Sequence, residues 1–234
     1  HCHAEGRSDA TRSQGMKPGR PLCAHALVAV TLLMSGMAAG EEVSPVGHYR
    51  AAAGPDLASE LVIEANGHFE YALSYGALDE HAVGRWVRAD KGIRLYTDPK
   101  PIPAAFSSSP PSKTGDAKLS LLVAWPDGRG IAGIDFRIGF AAGDPITGYT
   151  QHDGWSLSPD ERRTPAWIEL FEPIHGVTSP RYPIDLEKGN ALHFTLTPND
   201  IEIFDFQGSQ VDVEPGALVL HHGNGQLRYV RAER

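Results

Sequence analysis

Sulfur is scarce in this chain. Its two cysteines, Cys2 and Cys23, and its three methionines, Met16, Met34 and Met37, all fall before residue 40. From residue 41 onward there is no disulfide, no thiolate metal site and no cysteine nucleophile. Past the same point there is no long apolar run, so no stable membrane span is expected there. No stretch sustains an apolar 3.6-residue period for three turns, which leaves β structure. Positive charge is in short supply as well. Residues 1–40 take four basic and two acidic side chains from totals of 21 Lys and Arg and 29 Asp and Glu, leaving 17 against 27, a net of −10. That balance disfavours nucleic acid and anionic membrane surfaces as partners. Gly-x-Ser-x-Gly, His-Glu-x-x-His, P-loop and EF-hand patterns are all missing, so no catalytic residue is signposted.

What is present begins with a leader. Lys17 and Arg20 precede an apolar stretch dense from Ala26 to Ala39, closed by Ser35, Gly36, Ala38, Ala39 and Gly40. That is the layout of a secretory signal peptide over 16–40, with 1–15 read as an upstream, non-native extension. Cys23 opens the apolar run, whereas a lipid-modified cysteine belongs at its end. A periplasmic or secreted protein is expected.

Two-residue alternation dominates the rest. The predicted class is all-β: a small antiparallel meander or barrel over 41–98, a Pro/Ser-rich linker over 99–116 (Pro99, Pro101, Pro103, Pro110, Pro111), and a β-sandwich over 117–234. Within the first unit, Leu61 and Ile63 lie before Asn66-Gly67, and Phe69, Tyr71 and Leu73 after it. A three-residue loop Ala65-Asn66-Gly67 sets Ile63 opposite Phe69 and Leu61 opposite Tyr71, gathering the large apolar residues on one face. The same device at Asp90-Lys91-Gly92 pairs Ala89 with Ile93 and Val87 with Leu95. Asp79-Glu80-His81 is expected to cap a hairpin in solvent. Farther on, strands are expected at Leu119–Trp125, Ile134–Phe140, Thr147–Leu157, Trp167–Glu172, Leu192–Leu196 and, with a phase change, Ile201–Phe206. A closing hairpin pairs Ala217–His221 with Leu227–Arg231.

Gly128-Arg129-Gly130-Ile131-Ala132-Gly133 matches the dinucleotide-binding pattern by letter, but an alternating strand follows it where a helix N-terminus is required. The pattern is a turn, and no cofactor is implied. Of eight histidines after residue 40, none forms a His-x-His or His-x3-His pair, and His221 and His222 would face opposite sides of one strand, so no metal site is assigned. The richest polar-aromatic segment is Gly148–Trp155, where Tyr149, His152, Asp153 and Trp155 are the candidate ligand-binding residues; the alternative is a glycine-ended turn with Trp155 in the core.

Gly47-His48-Tyr49, Ser59-Glu60-Leu61, Asn66-Gly67-His68-Phe69 and Gly84-Arg85-Trp86 resemble the small lipocalin-like N-terminal barrel of the NlpE-type envelope lipoproteins over residues 46–97. That family carries a Cys-x-x-Cys after its opening strand. Here Ala51–Leu57 stands in its place, without the ligands that metal or redox sensing would use. Ile131–Leu157 is similar to a transthyretin-type sandwich, which implies a non-catalytic accessory module. The expected function is an exported binding or interaction module of the bacterial envelope, with an unknown protein or small-molecule ligand as its partner. The alternatives are a small-ligand or zinc/copper carrier and, third, a hydrolase with spatially assembled residues.

Overall fold

A computed structural model describes residues 43–51, 53–115, 118–223 and 225–233. The expected leader at 16–40, the extension before it and both cysteines lie outside the described residues. The chain is all-β. Five strands come first: β1 (Gly47–Ala51), β2 (Leu57–Ile63), β3 (His68–Tyr75), β4 (Leu78–Ala89) and β5 (Gly92–Thr97). Nine follow: β6 (Ala105–Ser108), β7 (Ser120–Ala124), β8 (Asp135–Phe140), β9 (Ile146–Tyr149), β10 (Trp155–Ser156), β11 (Pro165–Glu172), β12 (Val177–Thr178), β13 (Tyr182–Pro183) and β14 (Ala191–Thr197). The last three are β15 (Gln207–Glu214), β16 (Ala217–His222) and β17 (Gly225–Arg231).

Strands β1–β5 and β15–β17 form one closed antiparallel barrel of eight strands, sealed where Tyr49 of β1 faces Arg231 of β17. The expected boundary is therefore corrected. The closing hairpin belongs to the first unit, and the sandwich is inserted between the fifth and sixth barrel strands. Five strands alone would leave open edges, and pairing β5 with β15 and β1 with β17 removes them. Strand β15 carries little sequence signal, because only Val211 and Val213 among its eight residues are large and apolar.

The β2–β3 register is the expected one, with Ile63 opposite Phe69 and Leu61 opposite Tyr71. Gly67 takes φ +91°, and the Asn66 side chain accepts from the His68 N–H at 2.9 Å. Leucine or valine could not hold that φ without strain. The β4–β5 register differs from expectation. Ala89 faces Gly92 across a two-residue turn, so Trp86 lies opposite Leu95. A one-residue slip would turn the Trp86 ring outward and Val87 inward. Trp86 is held instead by its indole N–H, which donates to the Glu64 carbonyl at 2.9 Å. Asp79, Glu80 and His81 lie within β4 and not at a hairpin tip. The turn is Gly76-Ala77, one step earlier, because Tyr75 pairs with Leu78.

The barrel lumen is filled. Tyr49, Leu61, Ile63, Phe69, Tyr71, Ile93, Leu95, Phe206, Val211, Leu218, Leu220 and Tyr229 all point in and are buried. Phe206 sits edge-on to both Phe69 and Tyr71, with ring centroids 5.6 and 5.0 Å away.

The insertion is a sandwich of two sheets, ordered β10-β7-β14-β6 and β12-β11-β8-β9, with β13 also pairing β11. Phe106, Leu121, Val123, Leu192, Phe194 and Leu196 from the first sheet meet Phe136, Ile138, Phe140, Ile168 and Leu170 from the second. The expected linker supplies a sandwich strand. β6 pairs β14, and Ser112 bridges Ala191. The expected strand Ile201–Phe206 is instead a turn followed by an irregular return to the barrel. Thr147–Leu157 is two short strands around a turn that bridges Gln151 and Gly154. The outgoing and returning segments bond to each other. Thr97 Oγ1 donates to the Phe204 carbonyl at 2.8 Å, and the Ile102 N–H donates to Asp200 Oδ2 at 2.8 Å.

Candidate functional site

The outer face of the five-stranded sheet is built in rows, because side chains on adjacent strands at paired positions share a face. One row reads Gly139, Trp167, Pro183. A Cβ on Gly139 would lie within the Trp167 indole, so only glycine lets that ring rest flat on the sheet. Arg181 stacks on the ring with its guanidinium carbon 3.8 Å from the centroid, and Arg137 stands at 5.4 Å. The next row reads Thr147, Arg137, Glu169. Glu169 accepts from Arg181 Nε at 2.9 Å and pairs with Arg137 Nε at 3.4 Å, so its charge is matched from both sides.

The third row reads Tyr149, Asp135, Phe171, Thr178. Its rings are uncovered: Tyr149 is 60% exposed and Phe171 38%. Among the described residues the Asp135 side chain between them has neither an ion pair nor a hydrogen-bond partner. This row and the Arg137–Glu169 row line an open groove of about 680 Å³. The groove ends at β9, whose only strand neighbour among the described residues is β8. Thr150 exchanges backbone bonds with Gly133 and Ile134, so by antiparallel alternation Gly148 and Ile146 bond inward to β8. The N–H and C=O groups of Thr147 and Tyr149 then point off the free edge.

Of the four sequence-predicted ligand residues, only Tyr149 lies in this groove. Trp155 packs inward against Phe136, centroids 4.6 Å apart. His152 lines a separate depression with Trp125 and Ile131, and its Nδ1 is 3.1 Å from the Gly130 carbonyl. Asp153 is exposed in the intervening turn. The expected constellation is therefore not assembled, because the turn at Gln151–Gly154 swings its middle residues away from the sheet face. Thr150, fully buried, staples this segment to the glycine-rich turn by donating to the Ile131 carbonyl at 2.6 Å. Asp135, Arg137, Glu169 and Phe171, which also line the groove, were not singled out in the sequence. Their only sequence signal is an outward position on alternating strands, which every solvated strand shares.

A second polar-aromatic cluster sits at the barrel wall. Glu80 and His222 point inward from β4 and β16, 3.6 Å apart. The Tyr71 hydroxyl donates to Glu80 at 3.3 Å, and the His222 ring stacks on Phe204 at 4.3 Å. Burial first, then the neighbouring Tyr229 and Glu80, pushes the Tyr71 phenol well above its ordinary range. His221, as alternation requires, faces outward and pairs with Asp212 at 2.8 Å. Among the described residues no three His, Cys, Asp or Glu side chains gather as a metal site. The remaining carboxylate–histidine pairs are His48–Glu60 and His175–Glu172. Among the described residues none of these four histidines bonds a Ser or Thr hydroxyl, so no nucleophile–base pair is formed.

Comparison of the chain with protein-family models, with curated proteins and with solved structures finds no match.

Proposed function

We propose that this protein is an exported, non-catalytic binding module of a bacterial cell envelope, with the barrel as a rigid base and the inserted sandwich as the part that meets a partner. The observation that carries this is the contrast within one sheet face. Trp167 and Glu169 are covered or paired by Arg181 and Arg137, while Tyr149, Asp135 and Phe171 stand uncovered beside a free strand edge. Exposed aromatic residues around a charge are the composition of recognition surfaces. A carrier would need room in the barrel, and the packed lumen leaves the groove as the better candidate.

Two measurements test the proposal. Mass spectrometry of the protein recovered from a periplasmic or secreted fraction should find its N-terminus near residue 41. Recovery in the cytoplasm with the leader attached would overturn export. A Tyr149→Ala/Phe171→Ala variant should keep its melting temperature and reproduce the envelope phenotype of a deletion strain. Full function in that variant would remove the groove from the account.

A further inference from the structure

Resting on that proposal, we infer that the groove takes an extended basic peptide, which adds to β9 as a further strand and lays an arginine side chain across Tyr149 onto Asp135. The main-chain half of this comes from β9. The outward N–H and C=O groups of Thr147 and Tyr149 are arranged as a ladder with one side missing, which is what strand addition uses. The side-chain half comes from how this molecule treats four of its other rings, Trp167, Phe140, Tyr96 and Tyr49. Arg181 and Arg137 cover Trp167, Arg163 lies 4.0 Å from the centroid of Phe140, Arg85 covers Tyr96 and Arg231 covers Tyr49. Among the described residues Tyr149 and Phe171 have no such cover, and the carboxylate between them has no cation.

The geometry suits a long cationic side chain. An added strand lies about 4.8 Å outside β9, and Asp135 on β8 lies one strand inside it. A residue beside Tyr149 on the same face must therefore cross the Tyr149 ring to reach Asp135. Arginine has the length, stacks on the ring it crosses, and meets the carboxylate with a planar donor fork. The acidic balance of residues 41–234 favours the same sign of partner. Because β9 is only four residues long, the added ladder is short and binding is weak, with the arginine supplying much of the selectivity.

The test uses the full exported chain, isotopically labelled, and a capped Thr-Thr-Arg-Thr-Thr peptide followed by NMR. Amide shifts should move at Thr147 and Tyr149 and at Asp135. Replacing the peptide's arginine by glutamine, or making Asp135→Asn in the protein, should weaken binding at least fivefold. Methylating the peptide amides that face β9 should abolish it. Asp135→Asn is an exposed, isosteric change, and an unaltered spectrum away from the groove serves as its control for folding. Free arginine binding as tightly as the peptide would overturn strand addition. Equal binding of the glutamine peptide would overturn the arginine contact. A concentration-dependent dimer in sedimentation, with β9 amides perturbed by dilution alone, would assign the edge to a second copy and overturn the peptide. If no peptide binds while Tyr149→Ala/Phe171→Ala still abolishes envelope function, this inference fails and the module proposal stands.

Discussion

In the barrel Tyr49, Tyr71 and Tyr229 point inward, and their hydroxyls are buried with them. On the outer face of the five-stranded sheet Trp167 lies beneath guanidinium groups, while Tyr149 and Phe171 stand uncovered. Tyr49, Tyr71 and Tyr229 are each 3% exposed or less, and their tips find internal partners: Pro45 O, Glu80 and the Ser59 hydroxyl. The sandwich fills its core with aliphatic side chains and phenylalanines, and leaves Trp167 to Arg181 and Arg137. The difference follows from shape. A closed barrel has one interior and must fill it with large residues from every strand, whereas a sandwich sheet has a second face that remains available for display.

The largest expected effect tests how the two parts are joined. A chain ending at Asp98 holds five of eight barrel strands and should not fold. Joining Asp98 to Phe204 through two glycines in place of residues 99–203 should preserve the barrel, because Thr97 already bonds Phe204 and Phe206. Circular dichroism and proton NMR dispersion distinguish the two, and a folded truncation would contradict barrel closure by β15–β17.

Core truncation comes next. Phe206→Ala should cost about 3–5 kcal/mol and Ile138→Ala about 2–5 kcal/mol. Each part has its own core cluster, so each loss should stay local. Trp86 fluorescence should report the first, and Trp125, Trp155 and Trp167 the second, in denaturant unfolding. Loss of both signals together in either variant would show one cooperative unit.

High pH should then separate the parts. Burial, moderated by the Ser59 hydrogen bond, pushes the Tyr229 phenol up to about 12. Because the folded pKa lies above the ordinary value of 10, this contribution is fully present below pH 10 and is lost as pH rises toward 12. Two pKa units correspond to roughly 2–3 kcal/mol. Tyr49 and Tyr71 shift in the same direction, as does Tyr182 in the sandwich; with three raised phenols against one the barrel should loosen before the sandwich, and Tyr229→Phe should flatten the slope. Spectrophotometric titration of tyrosinate checks it.

The smallest effect belongs to the sandwich rim. Hydrogen bonds from the Arg163 side chain, then from its backbone N–H, hold the Glu161 carboxyl down at about 2. The folded pKa is depressed, so the contribution is present above about pH 4.5 and disappears as pH falls toward 2. A carboxyl NMR titration should find this midpoint, and Arg163→Gln should return it toward the ordinary range. An unchanged midpoint would show that the pair does not form in solution.

Legibility in the sequence tracked the span of the interaction. The Ala65–Gly67 loop and the β8 alternation were readable because each is decided by neighbours a few residues apart. The Trp86 register was misread because size, not pattern, chose which of two adjacent apolar residues faced the lumen. The barrel closure was invisible because Tyr49 meets Arg231 across nearly the whole described chain. Tyr149 was singled out in the sequence because its segment is rich in polar and aromatic residues. Asp135 and Phe171 were not, since they join it only through strand pairing.

By itself the chain determined its class and its local hairpins. Two-residue alternation and glycine-bearing turns admit sheets and little else, and sulfur after residue 40 offers no alternative support. Which strands closed into a barrel, and which three side chains from β8, β9 and β11 shared one uncovered row, were decided in tertiary structure. Those pairings depend on hydrogen bonds between segments whose sequence separation carries no periodic signal.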